Sequence, residues 1–317
     1  MHCSLAARTE KTNSPVHPSI GSRDETRGLW LAMLGVLCFA LALPAARLAA
    51  GTPAAPALPP GFVMFGSAAL AGVLSAVFLL ATRAPLPRCS HLKPLMLAML
   101  GNAAGYLLLL GDALRPANAS RAMVMMALLP LVTAALAAWV LRQRARLEFW
   151  LCALTGGTLA VVFALLRAYR QNGGFGLAWV DLLLAGAVIT VAVGYVHGAQ
   201  VALALGAGRT VCWGCALALV FTLPGALLSW PAQPVPASAW GGLVCLGMAS
   251  IWAGLFAWYR ALALGGALRM SQAQWLQPFL SIAAAGLLPG QALDPMTLIF
   301  AVAAVVIVMA GRSWCTR

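Results

Sequence analysis

Gln274, Gln277 and Ser281 are spaced i, i+3 and i+7, which places two amides and a hydroxyl on one face of a helix. They straddle Pro278 within an otherwise apolar run. An amide donates and accepts hydrogen bonds without carrying charge. Such a stripe either holds a solute in a low-dielectric setting or fastens one helix to another, and the solute-facing reading is slightly preferred. The same face of the fourth apolar run presents Met126, Leu129, Pro130 and Thr133, with Met123 and Met125 nearby. Methionines suit a permissive apolar pocket, although core filling competes for each one alone. Asn102 and Tyr106 stand at i, i+4 and fit a solute site or a structural hydrogen bond equally. Trp252, Phe256 and Tyr259 form an aromatic stripe that would clamp an apolar or cationic solute. Membrane-interface anchoring competes for Trp258 and Tyr259 and is the expectation for Trp258; Trp252 stays open. His197 and Gln200 share a face with Gly194 one turn before. His197 is the only histidine well inside an apolar run, and its charge can change near neutral pH, so it is the candidate for proton coupling. A hydrogen-bonded structural role is the preferred alternative.

The elements that must position these groups are set by composition. Of 317 residues, 62% are hydrophobic and 9% are charged, with a mean hydropathy of +0.91. Soluble domains carry about 25% charged residues. An all-α integral membrane protein follows, because a barrel would alternate apolar and polar residues. Residues 1–27 lack periodicity and are expected to be a disordered cytoplasmic tail. Ten apolar segments follow at 28–48, 61–82, 94–114, 118–141, 147–167, 177–203, 209–229, 238–262, 267–288 and 295–312, each near the ~20 residues a spanning helix needs.

The net charge of +13 does not point to nucleic acid, because the basic residues are dispersed between apolar runs. They act instead as topology signals. With the N-terminus cytoplasmic, 15 of the 20 Lys and Arg fall inside and 5 outside, which places both termini in the cytoplasm.

A shift of 148 residues lays Pro130 on Pro278, Arg121 on Arg269, Ala119 on Ala267 and Thr133 on Ser281 without a gap. Both copies are apolar helices with a mid-helix proline, expected to kink where the ring removes a backbone hydrogen bond. Five spans lie on each side of the loop at 171–176. An odd number per half makes residues 28–167 and 177–312 inverted five-helix repeats, with their proline helices meeting near the membrane centre.

All seven carboxylates lie in the tail (Glu10, Asp24, Glu25) or at span ends (Asp112, Glu148, Asp181, Asp294). None falls at mid-membrane, which argues against a buried-carboxylate antiport cycle. Cys212-Trp213-Gly214-Cys215 has redox spacing but no His or acidic neighbours, so no redox or metal role is expected. The chain has neither the clustered intramembrane groups that membrane enzymes need nor a phosphate-binding loop.

In these features the sequence resembles the drug/metabolite transporter superfamily, in its EamA-like branch. The resemblance is carried by Leu43-Pro44 through Arg47, by Ala119–Leu141 with Pro130, by Ala267–Gly290 with Pro278, and by the closing Val308–Gly311. It implies ten spans in two inverted five-helix repeats. The family's acidic turn after each proline helix is replaced here by Arg142-Gln143-Arg144 and Pro289-Gly290-Gln291, so no role of that carboxylate carries over. The expected function is secondary transport in a bacterial inner membrane, moving outward a small metabolite such as an amino acid derivative or amphiphile. A lipid-flipping or scaffold protein of the same fold is the alternative. The expected partners are a small-molecule solute and membrane lipid, with a homodimer open, no nucleic acid and no cofactor.

Overall fold

A computed structural model describes residues 22–52, 55–113, 125–142, 147–172 and 179–286, together with residues 299, 302, 303 and 306. The expected tail (1–21 of it), most of the segment 295–312 and the turn replacing the second acidic motif lie outside these residues.

Helix α1 runs Ser22–Ala40 and continues after one turn residue as α2, Ala42–Ala50. It starts earlier than expected, so residues 22–27 are helical and not part of a disordered tail. Asp24 and Glu25 occupy its first turn, where carboxylates offset the positive end of the helix dipole. Glu25 also forms an ion pair with Arg269. A two-residue hairpin, Gly51–Thr52 (β1) against Ala55–Pro56 (β2), leads into α3, Pro60–Ala81. Helix α4 spans Cys89–Ala113 and starts five residues before the expected 94; Pro94 lies inside it. Helices α5 (Leu129–Val140), α6 (Leu147–Asn172), α7 (Trp179–Leu205) and α8 (Ala207–Leu228) follow.

The next rod is composite: α9 (Ala237–Val244), a π-helical segment (Cys245–Ala253) and α10 (Gly254–Gly265). The last described rod is α11 (Ala267–Met270), a 3₁₀ segment (Ser271–Leu276) and α12 (Gln277–Ala285). Among the described residues five helices are long and apolar enough to cross a membrane. Leu80, Trp139, Val220 and Leu228 are strongly exposed on the outside, as lipid-facing side chains must be.

The main packing pairs are α4 with α7, α3 with α8, and α1 with α10. Glycine brings the first pair close. A Cβ on Gly101 would overlap the Thr190 carbonyl, and one on Gly194 would come within 2.7 Å of the Asn102 backbone nitrogen. Gly101 thus meets Gly194 directly, and Gly105 lies against Ala187, Thr190 and Val191, so α4 presents a small-xxx-small face to α7. Gly28 faces Gly265, and Gly35 faces Trp258, along the α1–α10 seam. Gly156 and Gly157 form a notch on α6 that receives the buried Trp275 ring.

The prolines act differently from the kink expected of them. Pro130 and Pro278 are each the second residue of a helix, α5 and α12. There the missing N–H has no intrahelical acceptor to lose and the fixed φ suits the first turn. The break falls just before each proline: a turn at Ala127-Leu128 and the 3₁₀ segment ending at Leu276.

Candidate functional site

Between α1, α4, α5, α7, α8, the π segment and α12 lies a cavity of about 270 Å³. Asn102, Met126, Gln274, Gln277, Pro278 and Ser281 all line it. The two rods that restart at prolines pack against each other and both contribute to the lining, with Met126 and Leu129 from one and Gln274, Gln277 and Ser281 from the other. None of the lining residues is Asp, Glu, Lys, Arg or His among the described residues. Most of the wall is apolar, with a few polar points, the usual make-up of a small-molecule pocket.

Several of those points are already committed. Thr210 Oγ1 donates to the Gly206 carbonyl at 2.9 Å, and Thr222 Oγ1 donates to that of Ala218 at 3.0 Å. Each hydroxyl is tied to its own helix. Asn102 Nδ2 donates to the Ala98 carbonyl at 2.9 Å and to the Tyr259 hydroxyl at 2.5 Å. Tyr259 in turn donates to the Gly194 carbonyl at 3.1 Å. This relay joins α4, α10 and α7 along the cavity's edge. It depends on Gly198, because a Cβ there would overlap the Tyr259 ring.

Gln274 is the exception. It is 2% exposed, and neither Nε2 nor Oε1 has a hydrogen-bond partner. Its amide lies beside the Tyr195 hydroxyl without reaching hydrogen-bond geometry. Leaving one buried polar group unpaired costs about 1–3 kcal/mol. The residue borders the cavity from a 3₁₀ segment.

The remaining candidates fall elsewhere. Trp252 is not in the cavity lining; its ring packs against Phe256 (4.7 Å between centroids) and Phe78 (6.4 Å). The expected stripe with Tyr259 fails because Trp252 lies in the π segment, whose i→i+5 bonding widens each turn beyond 3.6 residues. Ser250, Ile251, Leu255 and Tyr259 face the cavity in its place.

Trp258 is not a membrane-interface anchor. It is fully buried, with Phe39 and Tyr195 packed against it at 6.1 and 5.5 Å. Tyr259, 3% exposed, is likewise interior. His197 Nδ1 lies 3.2 Å from Gln200 Oε1, and neither residue lines the cavity. Val191 and Tyr195, one turn apart, are the cavity face of α7, and His197 is half a turn past Tyr195. Pro130 and Thr133 are buried beside the lining and not part of it. Tyr106 lies in α4, but its side chain is outside the described set. Cys215 lines the cavity with a free thiol, and Cys212 is buried and free. Tyr195, Thr210, Thr222 and Ser250 are polar lining residues that the sequence expectations did not include. As one of four tyrosines in the chain, set mid-span in an apolar run, Tyr195 carried a signal that was passed over.

A model of the EamA-like transporter family matches residues 26–166. A relative from Bacillus subtilis (strain 168), named Uncharacterized transporter YdeK, is 32% identical over 264 residues, which cover 82% of this chain and 88% of its own length. A crystal structure of an 18% identical protein superposes with a TM-score of 0.70, covering 90% of this chain and 95% of that one; at that identity it shows the fold alone. The chain is an integral membrane protein and belongs to the EamA-like transporter family.

Proposed function

We propose that this EamA-like family member is a secondary transporter of a bacterial inner membrane. In this reading it has ten spans in two inverted five-helix repeats, 28–167 and 177–312, with both termini cytoplasmic. It exports a small metabolite or amphiphile by alternating access, with Asn102, Tyr106, Met126, Gln274, Gln277 and Ser281 as the solute-facing set.

The observation that carries the proposal is a central cavity built from both halves at matching positions. Shifted by the 148 residues that lay Pro130 on Pro278, the starts of α4 and α5 fall on the starts of α9 and α12, and that of α3 falls one residue from that of α8. The packing pairs obey the same exchange. The α4–α7 contact maps onto that of α9–α10 with α1, and α3–α8 maps onto itself. Such an exchange supports halves that rock about a fixed site. His197 and Gln200 stand apart from this path, so coupling through them would act from outside the cavity.

The test is transport by the purified chain in liposomes, with solutes chosen by profiling cells that overproduce or lack it. Accumulation that depends on the cavity residues is expected. Lipid scrambling with no solute movement would overturn the proposal in favour of the lipid-flipping alternative. Terminal tags should both report the cytoplasmic face; tags on opposite faces would overturn the inverted-repeat topology.

A further inference from the structure

Gln274 borders the cavity with a buried amide whose donor and acceptor both lack a partner; its Nε2 and Oε1 have almost no accessible surface, so a solute reaches them only once a neighbouring side chain turns aside. A primary amide presents N–H and C=O side by side on one edge. The group that satisfies both at once carries C=O and N–H on the same side, as a lactam, an imide or a carboxamide does. Two parallel hydrogen bonds then form: Gln274 Nε2 donates to the solute carbonyl, and the solute N–H donates to Gln274 Oε1.

Charged groups do worse at this point. A carboxylate accepts from Nε2 but meets Oε1 with like polarity. An ammonium does the reverse. Neither finds an opposite charge among the described lining residues, and a charge moved from water into an apolar cavity without a partner is strongly penalised. The adjacent Tyr195 hydroxyl can turn to donate or accept, so it tolerates substituents beside that edge. Elsewhere in the lining Met126 and Leu129 are apolar and pliable, and Phe39 and Tyr195 stack with 14° between their planes. A flat, compact ring suits that surface.

We propose that the cavity takes an uncharged solute bearing a cis-amide edge on a compact apolar body, read by the Gln274 amide through paired hydrogen bonds. This rests on the transport reading for its biological setting but not for its test.

The test uses the full chain in detergent micelles and equilibrium dialysis of three matched probes. These are 2-quinolone, which has the complete edge, N-methyl-2-quinolone, which lacks the donor, and coumarin, in which a ring oxygen replaces the N–H. The expected result is that 2-quinolone binds about tenfold or more tightly than the other two, the worth of one well-made hydrogen bond. The variant Gln274→Met should bring the three probes to one level, while Trp252→Phe keeps the wild-type order. Thermal unfolding of each variant separates a lost site from a lost fold.

Equal binding of the three probes by the wild type would overturn the inference, as would discrimination that survives in Gln274→Met. So would binding of phenylalanine or quinuclidinium in preference to 2-quinolone. A protein that moves other solutes in liposomes while treating the probes alike would overturn this inference and leave the transport reading standing. One that discriminates through Gln274 yet moves no solute would do the opposite.

Discussion

The two rods that restart at prolines have the same backbone plan and opposite chemistry. In each, a non-α stretch ends and a new helix begins one residue before the proline, at Leu129-Pro130 and Gln277-Pro278. Position by position, Met126 answers to Gln274 and Leu129 to Gln277, and all four line the cavity. Thr133 is fully buried, while its counterpart Ser281 lines the cavity. The backbone break is shared because proline imposes it locally. In the proposed transport cycle the polar side recognises the solute and the apolar side yields.

The comparison is broken most severely by making the polar wall apolar. Gln274→Met should lower transport about a hundredfold, the loss of two hydrogen bonds worth roughly 3 kcal/mol together. The same variant should unfold at a higher temperature than wild type, because an unpaired buried amide is removed. Transport in liposomes and a thermal melt check both signs; a melting point that falls would mean the amide is structural glue.

The converse change, Met126→Gln, places an amide on the yielding wall. It should cost about 1–3 kcal/mol of stability in the melt and reduce transport severalfold. Tyr259→Phe removes the bond to Asn102 and the one to Gly194. A loss of about 1–2 kcal/mol is expected, together with looser solute selectivity as α4 and α10 lose register.

The smallest effects belong to the prolines. Pro130→Ala and Pro278→Ala should each change stability by less than about 1 kcal/mol, through added freedom of the unfolded chain. A transport defect as large as that of Gln274→Met in either variant would restore a mid-helix hinge.

Much of this was legible beforehand. The spacing of Gln274, Gln277 and Ser281 and the twin prolines depend only on helical period and on proline chemistry, and both are written locally. What sequence could not convey is where the period changes. The i→i+5 winding of Cys245–Ala253 turns Trp252 away from Tyr259, and nothing in the run announces it. The 3₁₀ stretch of Ser271–Leu276 is equally silent. Trp258 was misplaced because an aromatic near a span end suits the headgroup region and the interior alike. Its place was settled by helices far away in sequence: Gly35 lets the α10 backbone at Trp258 come close to α1, and Phe39 and Tyr195 then pack on the ring. The Gly101–Gly105 and Gly194–Gly198 spacings are visible in the chain, but only the fold gives them meaning, by setting Gly101 and Gly105 against α7 and Gly198 against the Tyr259 ring.

The seam between α1 and α10 has a bearing on biosynthesis. The ribosome delivers Ser22–Ala40 first, yet Gly28 and Gly35 find Gly265 and Trp258 only when most of the polypeptide has emerged. Until then the glycine-notched side of the first helix has no protein neighbour and rests against lipid or the insertion machinery. A nascent chain stalled before Gly254 would therefore hold an incomplete bundle, with Glu25 still awaiting Arg269.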